Sequence, residues 1–210
     1  MKQTAEFWDK IADKYAASQI RDVEAYEYTL ERTRSYLSAE TRLLEIGCGT
    51  GSTALLLAED VQAVTGSDIS SQMVRIATEK AAAQDVTNVS FQVAGALDAV
   101  RGAKAYDVVT GFNVLHLTEG LDEILQTMAR EMEQGSLFIS KTPCLNDPSI
   151  GIKRFAFRAL IPVMQFFRKA PFVQFLTFQE LEALIIGAGL EIIETSNNPA
   201  MSRYIVARKP

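Results

Sequence analysis

Three short stretches of this 210-residue chain carry residues that could do chemistry together. The first is Gly47-Cys48-Gly49-Thr50-Gly51, which follows the apolar run Leu43-Leu44-Glu45-Ile46 and leads into Ser52-Thr53-Ala54-Leu55-Leu56-Leu57-Ala58. It reads as strand, tight glycine turn and helix. Glycine takes positive φ without a Cβ clash and lets a ligand approach bare backbone, while the free N–H groups opening the next helix face that ligand. The junction is expected to hold a nucleotide-like cofactor. The second stretch holds Glu45, two residues before Gly47, whose carboxylate would repel a pyrophosphate and favour an ammonium or sulfonium. The third ends in Asp68, 21 residues beyond Gly47, where an acid can accept both hydroxyls of a ribose.

The spacing narrows the ligand. Gly47, Gly49 and Gly51 form G-x-G-x-G, and Ser52 stands where the dinucleotide fingerprint G-x-G-x-x-G needs its last glycine. No lysine follows the glycines as in a phosphate-binding P-loop. A ribose with a positive charge attached satisfies both acids. Taken alone, the glycine turn is merely a turn and Asp68 caps the helix that starts near Ser70; together, at this separation, they describe a cofactor site.

These residues need a scaffold that brings two strand ends side by side. After a helical stretch over 4–37, β-type runs at 42–46, 62–67, 89–93, 106–110, 137–141, 190–194 and 204–207 alternate with helical patterns at 52–58, 70–84, 119–133 and 178–187. Such alternation implies an α/β fold with parallel strands, helices on both faces of an open sheet and ligands at the carboxyl ends of the strands. The last two strands are separated by 195–202, which contains Asn197-Asn198-Pro199 and no helix, so they are expected to pair antiparallel at one edge.

The stretch over 40–142 resembles the class I S-adenosylmethionine-dependent methyltransferases. The resemblance rests on Leu44-Glu45-Ile46-Gly47-Cys48-Gly49-Thr50-Gly51, on Gly66-Ser67-Asp68-Ile69-Ser70 with Met73, and on Tyr106-Asp107-Val108-Val109. It implies a Rossmann-like, doubly wound sheet of seven strands in the order 3-2-1-4-5-7-6 with strand 7 antiparallel. It also implies S-adenosylmethionine as cofactor, with the methionyl part at Glu45, Gly47, Cys48, Gly49 and Gly51 and the ribose at Asp68, with Ile69 and Met73 beside it. The family's usual Gly-Asp-Ala after the third strand is here Ala94-Gly95-Ala96-Leu97-Asp98. Either Asp98 substitutes from further on, or the backbone of Gly95, Ala96 and Leu97 holds the adenine alone.

His116 is the sole histidine and follows the fourth strand, where the site should open, so it is the candidate base for an acceptor that must lose a proton, against a structural role. Asn113 in the same loop is read as lining the cofactor pocket or shaping the turn. Near the start, Phe7-Trp8-Asp9-Lys10-Ile11-Ala12-Asp13-Lys14-Tyr15 resembles the opening of small-molecule members, in which an aromatic helix covers the cofactor. Tyr15 and Trp8 could face a sulfonium with their rings or sit in the core.

The expected organisation is one domain over 1–210, with a helical cover at 1–38 and a helical substrate insert or lid at 145–177. The insert is electrostatically unlike its host. Residues 151–176 hold five bases and no acid, leaving 16 bases against 26 acids elsewhere. Phe157, Leu160, Ile161, Met164 and Phe167 fall on one helical stripe that Pro162 should kink or divide. A lid helix, a contact with an anionic membrane through 153–169, and a homodimer contact all suit it.

The net charge of −5 argues against nucleic acid as a partner, and the resemblance to the family's small-molecule members implies a small molecule as substrate. No run is long enough to span a bilayer, the first residues lack a leader's apolar core, and a cytoplasmic location is expected. Cys48 and Cys144 are too few for a disulfide scaffold and lack metal-ligand spacing, so no metal is expected. Two rival readings remain at this stage: a protein that binds the cofactor or its demethylated product without turnover, and a nicotinamide-dependent oxidoreductase, which shares the ribose acid but conflicts with Glu45 and Ser52.

Overall fold

The computed structural model describes residues 2–210, so Met1 of the expected helical cover lies outside the described residues. Strands β1 (Arg42–Ile46), β2 (Ala63–Asp68), β3 (Val89–Val93), β4 (Val108–Phe112), β5 (Leu137–Pro143), β6 (Glu191–Ser196) and β7 (Ser202–Arg208) form one sheet in the order β3-β2-β1-β4-β5-β7-β6. β7 runs antiparallel to both its neighbours, and the pairs from β3 through β5 are parallel. This is the doubly wound Rossmann-like topology that the resemblance implied. β1 and β4 are central and carry apolar residues to both faces, as a buried parallel strand must. The switch of winding direction at β1 and β4 leaves a crevice above their carboxyl ends.

Helices α1 (Lys2–Ala16), α2 (Val23–Arg34), α3 (Ser52–Leu57), α4 (Ser71–Ala83), α5 (Ala96–Val100), α6 (Leu121–Glu131), α7 (Lys153–Phe166) and α8 (Phe178–Gly187) complete the chain. One core lies between the sheet and α5, α6 and α8, where Leu44, Ile46, Val109 and Phe138 meet Leu125, Met128, Leu181 and Ile185. The other lies under α2 and α3, where Leu43, Ile139, Tyr204 and Val206 meet Leu30, Ala54 and Leu57. The single helical stretch expected over 4–37 is two helices, because Asp22 caps α2 through the Ala25 N–H at 3.0 Å and breaks the run.

Two carboxylates tie the covering elements to this frame. Asp9 on α1 reaches the N-terminus of α4, where its Oδ1 accepts Ser70 Oγ at 2.6 Å and the Gln72 N–H at 3.0 Å. A carboxylate there meets donors left free by the helix and the positive end of its dipole, and those donors hold the Asp9 carboxyl below its usual pKa. Ala12, Met73 and Ile76 fill the space behind it, with Trp8 packed against them. Asp147 does the same for the insert. Its Oδ1 accepts the Ser149 N–H and its Oδ2 the Phe178 N–H, so the chain leaves and returns at one point.

Between those anchors α7 runs unbroken through Pro162 and has no buried residue, so of the kink or division expected there the division does not occur. Phe157, Ile161 and Met164 face inward and are half-buried. Ile152, Phe155, Val163 and Phe166, spaced three, eight and three residues apart, lie on the opposite side, with Leu160 and Phe167 beside them, and all are exposed. The helix therefore presents a second apolar face outward, flanked by Lys153, Arg158 and Lys169.

Replacing Asp9 by alanine is expected to loosen α1 from α4 by about 1–2 kcal/mol, the usual worth of a charged cap. Hydrogen exchange should then accelerate in 2–16 while the amides of β1 and β4 keep their protection.

Candidate active site

The turn after β1 is shaped by what cannot fit beside it. Gly47, Gly49 and Gly51 all have positive φ. A Cβ on Gly47 would lie 2.3 Å from Val114 Cγ2, and one on Gly51 2.7 Å from the Phe91 ring. Gly49 differs, for its open side faces Tyr15, 3.7 Å away. Asp68 at the end of β2 locks this turn from below. Its Oδ2 accepts the Gly49 N–H at 2.9 Å and its Oδ1 the Ser70 N–H at 2.8 Å. Burial raises its pKa while these two donors pull it down. Each carboxylate oxygen keeps a lone pair for a ligand.

Above the turn lies a cleft with two lobes that share Tyr15, Gly47, Gly49, Phe112 and Asn113. The first lobe, about 400 Å³, has Asp68 and Ile69 on one side, Trp8 and Met73 on another and the chain from Ala94 to Leu97 along its floor. The second, about 390 Å³, lies beneath the link between α1 and α2 and is lined by Glu45, Cys48, Asp22, Tyr26 and Lys141 among others. Most residues expected to form the site are thus brought together: Tyr15, Glu45, Gly47, Cys48, Gly49, Asp68, Ile69, Met73, Gly95, Ala96, Leu97 and Asn113.

Three expectations meet a different geometry. Gly51 lines neither lobe; it is the N-cap residue of α3 and lies where α4 and β3 close on the turn. Asp98 points into solvent on α5 and pairs with Arg101 at 2.8 Å, so residues 94–97 line the first lobe and Asp98 does not. His116 sits in a tight 3-10 turn, Leu115–Leu117, whose carbonyl at His116 accepts the Gln174 N–H at 2.7 Å. Its imidazole is turned away from both lobes and buried, and burial pushes its pKa down to about 4. Sequence reasoning also missed Lys141, Asp22 and Tyr26 in the second lobe and Glu119 and Glu123 in the first. The alternation of side chains along β5 was the available signal for Lys141.

Glu45 is wholly enclosed. Its Oε2 has no hydrogen-bond partner among the described residues, and burial, with the nearby Asp68 adding to it, pushes the carboxyl up to about 8. The acid is therefore mostly protonated at neutral pH until a cation is brought to it. The charge repulsion against pyrophosphate expected from the sequence acts only once the group is ionised.

Residues 37–162 match a family described as methyltransferase domains, which is more than half of the chain. The chain belongs to the class I S-adenosylmethionine-dependent methyltransferases. The cofactor is S-adenosylmethionine. Among its relatives, the Bacillus subtilis protein called uncharacterized methyltransferase YcgJ is 32% identical over 101 residues, 48% of this chain and 40% of that one. The demethylmenaquinone methyltransferase of Shouchella clausii is 31% identical over 137 residues, 60% of this chain and 56% of that one. The chain thus spans about half the length of the curated relatives it matches, or less. The crystal structure of YcgJ superposes with a TM-score of 0.68 at 22% identity, over 81% of this chain and 72% of that one.

The site accommodates such a group. Asp68 with free lone pairs, an apolar lobe floored by residues 94–97, a turn left bare at Gly49 and the unpartnered Oε2 of buried Glu45 are groups that suit the parts of an adenosyl sulfonium amino acid. Because Glu45 is protonated in the free protein and ionised beside a cation, binding S-adenosylhomocysteine, whose amino group is cationic, should release a proton. Affinity is then expected to rise by up to about tenfold per pH unit from pH 6 and to level off above pH 8. Calorimetry in buffers of different ionisation enthalpy reads the proton directly, and Glu45→Gln should remove most of the slope.

Proposed function

We propose that the protein transfers a methyl group from S-adenosylmethionine to a small, lipophilic acceptor held in the second lobe. The observation that carries this reading is the cleft of two lobes meeting over the glycine turn, one fitted to a nucleoside and the other open to a second molecule. Bound there, the cofactor supplies a methyl group on a sulfonium, which passes to an acceptor lone pair as the carbon–sulfur bond breaks and a thioether is left. In this reading Asp68 takes the ribose hydroxyls, and Ile69, Met73 and the backbone of 95–97 enclose the adenine. Gly47, Gly49, Cys48 and Asn113 receive the amino-acid part, and Glu45 its cationic end. Tyr15, common to both lobes, stands over the reacting groups.

Alignment and exclusion of water suffice for such a displacement, since well-oriented reactants gain roughly 7–11 kcal/mol. No histidine reaches the cleft, so His116 is assigned no catalytic task. The Shouchella clausii relative, by its name, supports a lipophilic acceptor. The same lack of a histidine base also suits a protein that holds the cofactor or its product without turnover. The family match leaves the nicotinamide-dependent reading without support.

We further place α7 on an anionic membrane surface in the cytoplasm, where the two buried free thiols, Cys48 and Cys144, would stay reduced. Its outward face exposes Ile152 and Phe166 at 83% each, flanked by bases with no acid from 151 to 176. An apolar stripe with cations at its edges suits lipid headgroups and acyl chains. Two copies joined by this face through a two-fold axis would set bases against bases, which favours lipid over a homodimer. No helix among the described residues is long and apolar enough to cross a membrane, and 145–177 lines neither lobe in this conformation. The segment then serves to bring the cleft to a lipophilic acceptor.

Incubation with S-adenosylmethionine carrying a labelled methyl group and a lipid extract should move label into the organic phase, and Asp68→Ala should abolish most of it. Cofactor binding without label transfer would favour the non-catalytic reading. In sedimentation with vesicles, the protein is expected to follow phosphatidylglycerol mixtures and not pure phosphatidylcholine. Phe155→Ser with Phe166→Ser should release it. A concentration-dependent dimer that ignores both vesicles would assign the face to a second copy.

A further inference from the structure

One side chain in the second lobe has no task in the methyl-transfer reading. Lys141 lies on β5 opposite Phe112 of β4 and Tyr204 of β7, and it is only 7% exposed. Its neighbour two residues back, Ile139, points into the core under α2 and α3, and strand alternation sends Lys141 to the same face. There it meets the cleft where the core gives way to the second lobe, as the sole cation among the described residues lining either lobe. Burial holds the Lys141 ammonium below its ordinary pKa, and the one charge that counters this is Asp22, whose Oδ1 is engaged by the Ala25 N–H and which forms no ion pair with it, so an anion brought to the site would restore the charge. Glu45, across the lobe, is held protonated by its burial.

A buried ammonium without a counter-ion costs several kcal/mol, which an anion brought to it offsets. The wall around it is mixed, with Ile20, Ala25, Leu30 and Phe112 giving apolar surface for the body of a ligand and Gln19, Thr29, Thr53 and Asn113 giving neutral polar groups. We propose that Lys141 makes the second lobe a site for an acidic acceptor, its ammonium taking the anionic head of an apolar organic acid. This rests on the reading of the protein as a methyltransferase and names the substrate class of that same site. The cofactor's own carboxylate is the competing source of such an anion. β5 stands two strands from β1, about 10 Å across the sheet from the glycine turn. Thr50 and Ser52, with Lys80 behind them at 3.0 and 3.2 Å, stand nearer to that end. The basic, outwardly apolar insert selects the same kind of molecule independently, an amphiphile with a negative head.

The test compares 2-naphthoate with its neutral isostere 2-naphthamide, titrated calorimetrically into protein loaded with S-adenosylhomocysteine. The wild type is expected to prefer the acid by about tenfold or more, the usual effect of a hydrogen bond to a charged group. Lys141→Met and Lys141→Gln, each checked by thermal melting, should lose that preference and keep the affinity for the amide. Lys104→Met, at an exposed lysine paired with Glu133 and lining neither lobe, should retain it. Equal binding of acid and amide by the wild type, no binding of either, or a preference that survives both Lys141 variants would overturn the proposal. So would a loss of affinity for S-adenosylhomocysteine in the Lys141 variants with none for 5′-methylthioadenosine, because that places the lysine on the cofactor's carboxylate. Failure of the wild type to bind S-adenosylhomocysteine would instead remove the methyltransferase reading, and the acid–amide comparison would be made on unloaded protein.

Discussion

The structure depends on a turn that has no room for a Cβ at Gly47 or at Gly51. At Gly47 the neighbour is Val114 from the loop after β4, and at Gly51 it is Phe91 of β3 and Ala77 of α4. The backbone of the turn is thereby clamped between elements that come from three different parts of the chain. A Cβ at Gly47 would press on the loop after β4 and one at Gly51 on β3 and α4, so the crevice between them would shift. Positive φ at all three glycines adds a second reason for the residue type. Gly49 alone keeps its bare side toward the cleft. One glycine thus serves the ligand directly, while another serves the packing that holds the turn in place.

Asp68 and Asp9 extend that constraint outward. Asp68 is bonded to the turn through Gly49 and to the start of α4 through Ser70, so the acid read as a ribose partner is also a strut between β1, β2 and α4. Asp9 then ties α1 to the same helix start. Three separate elements converge on one helix N-terminus, and the free donors there are what attract both carboxylates. Tyr15, on the last turn of α1, is carried over the cleft by this chain of contacts. The cover and the floor of the site are set by a common anchor.

The cleft is electrically asymmetric. Glu45 is buried and held protonated, Asp68 is bonded and partly open, and Lys141 is buried without a partner. Each of these polar groups is costly in the free protein. A ligand carrying matched charges turns each cost into an attraction, so selectivity arises from groups whose solvation is incomplete until they are occupied.

Much of this was legible in the sequence. The glycine spacing, Glu45, Asp68 and the alternation of strands and helices are local patterns, and local sterics and hydrogen bonding dictate what they become. The separation of Gly47 from Asp68 matches one strand–helix–strand unit, so even their proximity could be read. What followed from contacts between distant segments could not. His116 lies in the right loop, yet a 3-10 turn and a hydrogen bond from Gln174 rotate it into the interior. Asp98 lies near the right floor but on the outer side of a short helix that the sequence pattern did not announce. Which stripe of α7 faces out, and that β5 aims Lys141 into the cleft, depend on where the insert is anchored and how the sheet is ordered. The chain by itself determined the elements and the chemistry that their junctions favour, because these depend on neighbours in sequence. Which side chains reach the cleft was decided only by the tertiary structure, because that depends on the packing of faces whose partners lie far along the chain.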